Sequence, residues 1–256
     1  MSDTCVIIPA RMASSRFPGK PLYKLMGLEM ILHIWYRCNK GDFKNHCYIA
    51  TCDEEIARIV SNAGGKVIFT SSNHIRATER VAEAYSVILR ENSEYEKIIM
   101  VQGDEPLVNI EMLNQMRYTL DSLKEPSVVN LVAATTPENL EDPNCIKVTK
   151  DLQSRALYMS RYPIGRPLSA SSASPCTFKQ VCVIGFHSAS ILNFVETRES
   201  ELERSESIDM LRFLENGKSV HLVEINHTTH PVDTKKDVAI VEELLKNDLE
   251  TQKYLS

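Results

Sequence analysis

Residues 6–21 read VIIPARMASSRFPGKP. The apolar run Val6-Ile7-Ile8 ends at Pro9, and Arg11, Arg16 and Lys20 follow on a stretch rich in Ser, Gly and Pro. That order predicts a buried strand delivering three cations and several free backbone N–H groups to one end of a sheet. Cations neutralise a polyphosphate and exposed amides bind its oxygens. A solvated basic loop is the plain alternative. The stretch is not a Walker A loop: Pro21 follows Gly19-Lys20, and Ser14 stands where the first glycine belongs. No G-x-G-x-x-G occurs, so the dinucleotide-binding fingerprint is absent.

Working outward, short β-type runs alternate with helical patterns. Strands are predicted at Cys5–Ile8, Cys47–Thr51, Lys66–Thr70 and Lys97–Val101. Helices are predicted at Met30–Cys38, from Asp53-Glu54-Glu55 to Gly64-Gly65, at Thr78–Arg90 and at Glu111–Leu123. This alternation argues an α/β fold, a mostly parallel sheet with helices on both faces. The later half is less regular. It offers strands at Ser127–Ala134, Cys145–Val148, Val181–Gly185 and Val220–Ile225. Helices are expected at Ala189–Glu196, Ile208–Leu214 and Lys235–Lys246, the last with Thr234 as N-cap. Pro163–Pro175 reads as a mobile loop and Asn247–Ser256 as a fraying end. We read 1–256 as a single α/β domain, with 142–217 as a strand-containing insertion and dimerisation subdomain.

With 256 residues the chain can bury a large core, and 43% hydrophobic with 25% charged residues is ordinary for a globular protein. A net charge of −5 gives no general attraction to nucleic acid, so the useful positive charge must be local. No secretory leader and no stretch of about 20 apolar residues is visible, which argues against a membrane role. Seven scattered cysteines without C-x-x-C argue against a zinc site and for a reducing, cytoplasmic setting. His227 and His230 lie on an expected loop, where their spacing does not suit a metal.

Ligands of open parallel sheets bind beyond the carboxyl ends of the strands. The loop from Arg11 to Lys20 and the turn from Gln102 to Pro106 both fall at that edge. Asp104 follows Gly103, which lets backbone approach a ligand closely, and Asp233 precedes the closing helix. Two carboxylates from separate loops near a triphosphate would hold Mg²⁺, which takes only one or two protein carboxylates. By spacing alone, Asp104 is equally a turn residue and Asp233 a helix-start acid.

Five motifs in order carry a resemblance. They are the opening segment, Val101–Pro106 (VQGDEP), Ala156–Ile164 (ALYMSRYPI), Glu206–Arg212 (ESIDMLR) and Val232–Thr234 (VDT). Together they resemble the 3-deoxy-manno-octulosonate (Kdo) cytidylyltransferases, up to about residue 240. The resemblance implies a Rossmann-like nucleotidyltransferase that joins CTP to a 2-keto-3-deoxy sugar acid, releasing pyrophosphate, and works as a homodimer. It implies catalytic roles for Lys20, Asp104 and Asp233, with Asp104 and Asp233 as Mg²⁺ ligands. Arg11, Arg16, Lys20, Thr78, Arg80 and Gln102 would face the nucleotide; Gln102, Arg161, Gln180 and Glu206 would face the sugar. A guanidinium such as Arg161 suits a sugar carboxylate. Other readings are a cytidylyltransferase for an amino-substituted or sialic-type ulosonic acid, or a non-catalytic nucleotide-binding relative.

The sequence also departs from that pattern. Arg76-Ala77-Thr78-Glu79-Arg80 stands where Ser-Gly-Thr-Asp-Arg is usual, with Thr78 still available as a helix N-cap. Gln180, His187 and Met210 stand where His, Arg and Gln are common. Gln keeps a donor and an acceptor but never becomes cationic. These changes imply a preference for a 2-keto sugar acid related to Kdo over Kdo itself, against the alternative of drift.

Overall fold

The computed structural model describes residues 3–14, 16–91, 95–123, 126–165 and 177–255. The chain forms two compact units: Met1–Gln115 with Thr228–Ser256, and Met116–His227. The stretch 142–217 lies inside the second unit, which begins earlier in the chain than that insertion. Ten of the expected loop residues, 166–175, lie outside the described residues.

The first unit opens with β1 (Thr4–Ala10), buried along its whole length. A two-residue hairpin, β2 (Lys24–Leu25) and β3 (Leu28–Glu29), leads into α1 (Met30–Cys38). Then come β4 (Cys47–Thr51), α2 (Glu54–Asn62), β5 (Lys66–Phe69), α3 (Ala77–Arg90) and β6 (Lys97–Val101). β1 pairs in parallel with β6 on one side and β4 on the other, and β4 pairs with β5. A parallel strand buried on both faces must be apolar without alternation, as β1 is. The strand runs past Pro9, contrary to expectation. Pairing with β6 ends at Ile7, while pairing with β4 continues to Ala10, so Pro9 lies beyond the β6 ladder. Helix α2 stops at Gly64, whose φ of +85° suits only glycine without strain.

The two units divide within α4 (Ile110–Ser122). The second unit continues with β7 (Val128–Ala134), α5 (Pro137–Glu141), β8 (Lys147–Lys150), β9 (Ala156–Ser160) and β10 (Phe178–His187). It ends with α6 (Ser188–Glu196), α7 (Glu201–Glu206), α8 (Met210–Glu215) and β11 (Val220–Ile225). β7 pairs in parallel with β11 and antiparallel with β10, while β8 is antiparallel to both β10 and β9. Buried Arg212 forks onto Glu203, at 2.6 and 2.8 Å, and its Nη1 donates to the carbonyl of Phe194 at 3.0 Å. One fully satisfied ion pair thus ties α6, α7 and α8 together.

The chain returns to the first unit through α9 (Lys235–Lys246), where Thr234 is the N-cap as expected. The expected fraying end is instead helix α10 (Leu249–Leu255). Asp248 accepts from the Thr251 N–H at 2.7 Å and its hydroxyl at 2.8 Å, capping the helix. Buried Arg37 of α1 binds Asp248, the Thr251 hydroxyl at 2.7 Å and the Val108 carbonyl at 3.1 Å. No helix among the described residues is long and apolar enough to cross a membrane.

Burial alone would raise the Asp248 carboxyl. Hydrogen bonds from Thr251 and the Arg37 charge outweigh it and hold the group below its ordinary value. A depressed folded-state value stabilises the fold above the unfolded value, and that gain is lost as pH falls through the folded one. Arg37→Met should cost on the order of 3 kcal/mol in urea unfolding, because a buried ion-pair partner is removed. Asp248→Asn should flatten the acid limb of the stability profile. A wild-type unfolding midpoint for Arg37→Met would rule out this clamp.

Candidate active site

The carboxyl ends of β1, β4 and β6 lie at one edge of the first unit's parallel sheet. After β1 the chain folds back on itself: the Met12 carbonyl accepts from Ser14 N–H at 2.9 Å and from Gly19 N–H at 3.0 Å. Gly19 has φ +74°, a conformation that favours glycine, and a short 3-10 turn over Lys20–Leu22 follows. The Met12 N–H donates to Asp53 at 2.9 Å, so a carboxylate just after β4 pins the loop. Sequence reasoning assigned Asp53 only to the start of α2; its position at the same sheet edge was the available signal.

After β6, the Glu105 N–H closes a turn on the Gln102 carbonyl at 3.1 Å. A Cβ on Gly103 would lie 2.8 Å from the Pro9 carbonyl oxygen, so only glycine fits between the two loops without displacement. The Val232 N–H donates to the Asp104 carbonyl at 2.9 Å, which brings Asp233 beside Asp104. Asp237 then accepts from the backbone N–H groups of Asp233 at 3.0 Å and Thr234 at 2.6 Å.

Four charges meet there. The Lys20 ammonium lies 2.8 Å from Asp104 Oδ2 and 3.8 Å from Asp233 Oδ1. Arg16 Nη2 lies 2.8 Å from the same Asp233 oxygen. Burial, then the neighbouring Asp104 charge, raise the Asp233 carboxyl above its ordinary value, while Lys20 and Arg16 pull it down. Asp104 Oδ1 is buried without a hydrogen-bond partner among the described residues. A buried carboxylate oxygen left unpaired beside a second carboxylate fits a hard, oxygen-seeking cation such as Mg²⁺. Among the described residues no group of three or more His, Cys, Asp or Glu side chains forms a metal cluster. His230 instead hydrogen-bonds the Pro231 carbonyl at 3.0 Å.

The other expected nucleotide residues lie in the same unit. Arg11 is exposed and donates to the His74 carbonyl at 3.1 Å. Arg80 is buried, donates to the Thr70 hydroxyl and to the Ser71 carbonyl at 3.2 Å, and leaves Nη2 without a partner among the described residues. Thr78 is not the N-cap. Helix α3 begins one residue earlier, Arg76 holds the cap position, and Glu79 accepts the Arg76 N–H at 3.3 Å. The extra methylene of Glu79 is compatible with this reach back to the cap, and Thr78 is fully buried in the first turn. Gln102 sits half-buried immediately after β6.

The remaining sugar candidates lie in the second unit. Arg161 donates to three backbone carbonyls, those of Glu206 at 2.7 Å, Pro143 at 3.1 Å and Ser207 at 3.1 Å. Glu206 accepts from the Ser160 hydroxyl and the Arg161 N–H, each at 2.9 Å. Each holds the other in place, a role the motif spacing does not reveal. Buried Asn130 donates to the carbonyls of Leu131 at 2.8 Å and Val181 at 2.9 Å. Its oxygen is therefore the acceptor for the Gln180 amide, which points the Gln180 carbonyl oxygen elsewhere.

Comparison with known proteins agrees with this architecture. A family model described as cytidylyltransferase matches residues 5–220. The 3-deoxy-manno-octulosonate cytidylyltransferase of Syntrophotalea carbinolica is 36% identical, over 96% of this chain and 99% of its own length. The enzyme of that name from Fusobacterium nucleatum is 34% identical, over 94% of this chain and 96% of its own. A solved structure of CMP:2-keto-3-deoxy-manno-octonic acid synthetase complexed with CTP superposes with a TM-score of 0.86 at 30% identity. It covers 97% of this chain and 100% of that one. A cytidylyltransferase from Leptospira borgpetersenii shares the fold alone, at 13% identity and a TM-score of 0.65, over 98% of this chain and 90% of its own. With its fold, its motifs and near full-length likeness in agreement, the chain belongs to the 3-deoxy-manno-octulosonate cytidylyltransferase family.

Proposed function

We propose that the protein joins CTP to 3-deoxy-manno-octulosonate, giving the CMP-sugar and pyrophosphate. The observation that carries this reading is the placement of Lys20 and Arg16 against Asp104 and Asp233 at the sheet edge, in a chain of this family. The anomeric hydroxyl oxygen of the sugar bonds to the α-phosphorus of CTP. The α–β phosphoanhydride bond breaks, pyrophosphate leaves with its electron pair, and the hydroxyl proton passes to solvent. The work left to the protein is positioning and charge neutralisation, with no covalent enzyme intermediate. Lys20, Arg16 and Arg11 neutralise the triphosphate; Arg80 and Thr78 shape the nucleotide pocket; Gln102 follows them at the same edge. Gly103 keeps the approach free of side chain. Asp104 and Asp233 would hold Mg²⁺. When bound, that ion supplies Lewis-acid polarisation of the phosphoryl oxygens. Arg161, Glu206 and Gln180 serve the sugar in this reading, Gln180 through a carbonyl oxygen that accepts from a hydroxyl.

The comparisons do not favour a different ulosonic acid, and two substitutions that suggested one have structural roles. Met210 is fully buried in the core of the second unit, and the His187 ring accepts the Ser127 N–H at 3.0 Å. A non-catalytic relative is disfavoured because Lys20, Asp104 and Asp233 are all present. The free thiols among the described cysteines fit the reducing, cytoplasmic compartment that belongs to this reading. Association as a homodimer belongs to it as well.

The direct test is pyrophosphate release with CTP, Mg²⁺ and a panel of sugar acids. Turnover highest with Kdo is expected, and none with Kdo would overturn the assignment. Asp104→Asn and Asp233→Asn should each lower kcat by on the order of 10²-fold or more with the circular dichroism spectrum unchanged. Near wild-type turnover of either at saturating Mg²⁺ would exclude these carboxylates as metal ligands. Arg11→Ala should raise the KM for CTP through the charge present in the ground state, and lower kcat through the charge that builds on the departing pyrophosphate. An effect confined to the sugar KM would mean that the loop serves the other substrate. Light scattering should give the mass of a dimer; a monomer at assay concentration would refute the association.

A further inference from the structure

We infer that Lys20 is a built-in stand-in for the divalent cation, so that the metal is admitted to Asp104 and Asp233 only when a polyphosphate draws Lys20 away. The inference rests on the metal assignment proposed above and adds to it an order of events. The Lys20 ammonium lies 2.8 Å from Asp104 Oδ2 and 3.8 Å from Asp233 Oδ1. That is the space between the two carboxylates. Arg16 approaches the same Asp233 oxygen at 2.8 Å. Two cations there offset the two carboxylates, with Asp237 adding a weaker negative influence on Asp233. A divalent ion entering this set would lose attraction and meet an ammonium at contact distance. The buried Asp104 Oδ1, without a hydrogen-bond partner among the described residues, is what remains to attract it.

A polyphosphate changes that balance. Its oxygens compete for Lys20 and Arg16, and each cation that turns to phosphate uncovers a carboxylate. Lys20 can make this move without a backbone change, because a flexible four-carbon stem carries its charge. Its backbone is fixed by the hydrogen bond of Gly19 to Met12, and Met12 in turn by Asp53. Linkage requires reciprocity: whatever factor the polyphosphate adds to metal affinity, the metal adds to polyphosphate affinity. The nucleotide-free enzyme therefore binds free metal poorly, and binding of nucleotide and metal is coupled through one side chain.

The test measures Mn²⁺ binding to the nucleotide-free protein by electron paramagnetic resonance, with no turnover involved. Lys20→Met should bind Mn²⁺ at least ten-fold more tightly than the wild type, and adding Asp104→Asn should abolish the gain. Equal or weaker binding by folded Lys20→Met overturns the stand-in role. A gain that survives Asp104→Asn overturns the metal assignment instead. Lys20→Gln, checked by thermal unfolding in chelator, serves if the methionine variant does not fold. An independent measurement uses the wild type alone. The ¹H–¹⁵N signal of the Lys20 ammonium should move on addition of CTP in the presence of EDTA; an unmoved signal overturns the inference.

Discussion

One backbone hydrogen bond organises the candidate site, the one from the Val232 N–H to the Asp104 carbonyl. Asp104 stands at the end of a central strand and Asp233 on a segment that returns after the whole second unit. Without that bond the two carboxylates have no reason to meet. With it, each is brought next to the other's charge, and the cost of that approach is offset by Lys20 and Arg16. The same bond seats Thr234 at the head of α9, where Asp237 closes the cap. Gly103 completes the arrangement by letting the Asp104 turn lie against the Pro9 carbonyl. The site thus depends on backbone contacts that side-chain substitutions elsewhere leave intact.

Its electrostatics follow from partial burial. Exposed ion pairs contribute little because water competes with them. Here the side chains of Lys20, Asp104 and Asp233 are 11%, 18% and 16% exposed, so their charges are poorly hydrated and need one another. That need makes the set exchangeable: a stronger anion can take the cations and a stronger cation the carboxylates. A site held by buried apolar packing alone would have no such exchange.

Much of this was legible in the chain. The buried β1 and β6 strands are unbroken apolar runs, and such runs followed by Gly, Asp or basic residues mark the ligand edge of a parallel sheet. The five motifs supplied the family and the pairing of Asp104 with Asp233. Other elements left no pattern to read. Helix α7 is ELERSE, with no apolar stripe, and is held by the buried Glu203–Arg212 pair. Helix α10 was missed because its tether, Arg37, lies in a distant helix. β9 reads as a motif rather than a strand, since Ala156 and Met159 are buried while Leu157 is exposed. Asp53 was hidden by its own neighbours: among three consecutive acids at a helix start, the one that pins the loop after β1 looks no different. Arg161 shows the opposite limit. Its type suggested a ligand for a carboxylate, and its three backbone carbonyl partners are revealed only by the folded chain.

The first unit is discontinuous, made of Met1–Gln115 and Thr228–Ser256. On a ribosome the chain emerges in order, at about 5–20 residues per second. Lys20, Arg16 and Asp104 are therefore made well before Asp233 exists, and the intervening residues must be threaded out first. The helix that presents Arg37 waits still longer for Asp248. The segment that follows the second unit thus completes both the charge balance and the clamp, and no N-terminal fragment ending before residue 233 can contain the assembled centre.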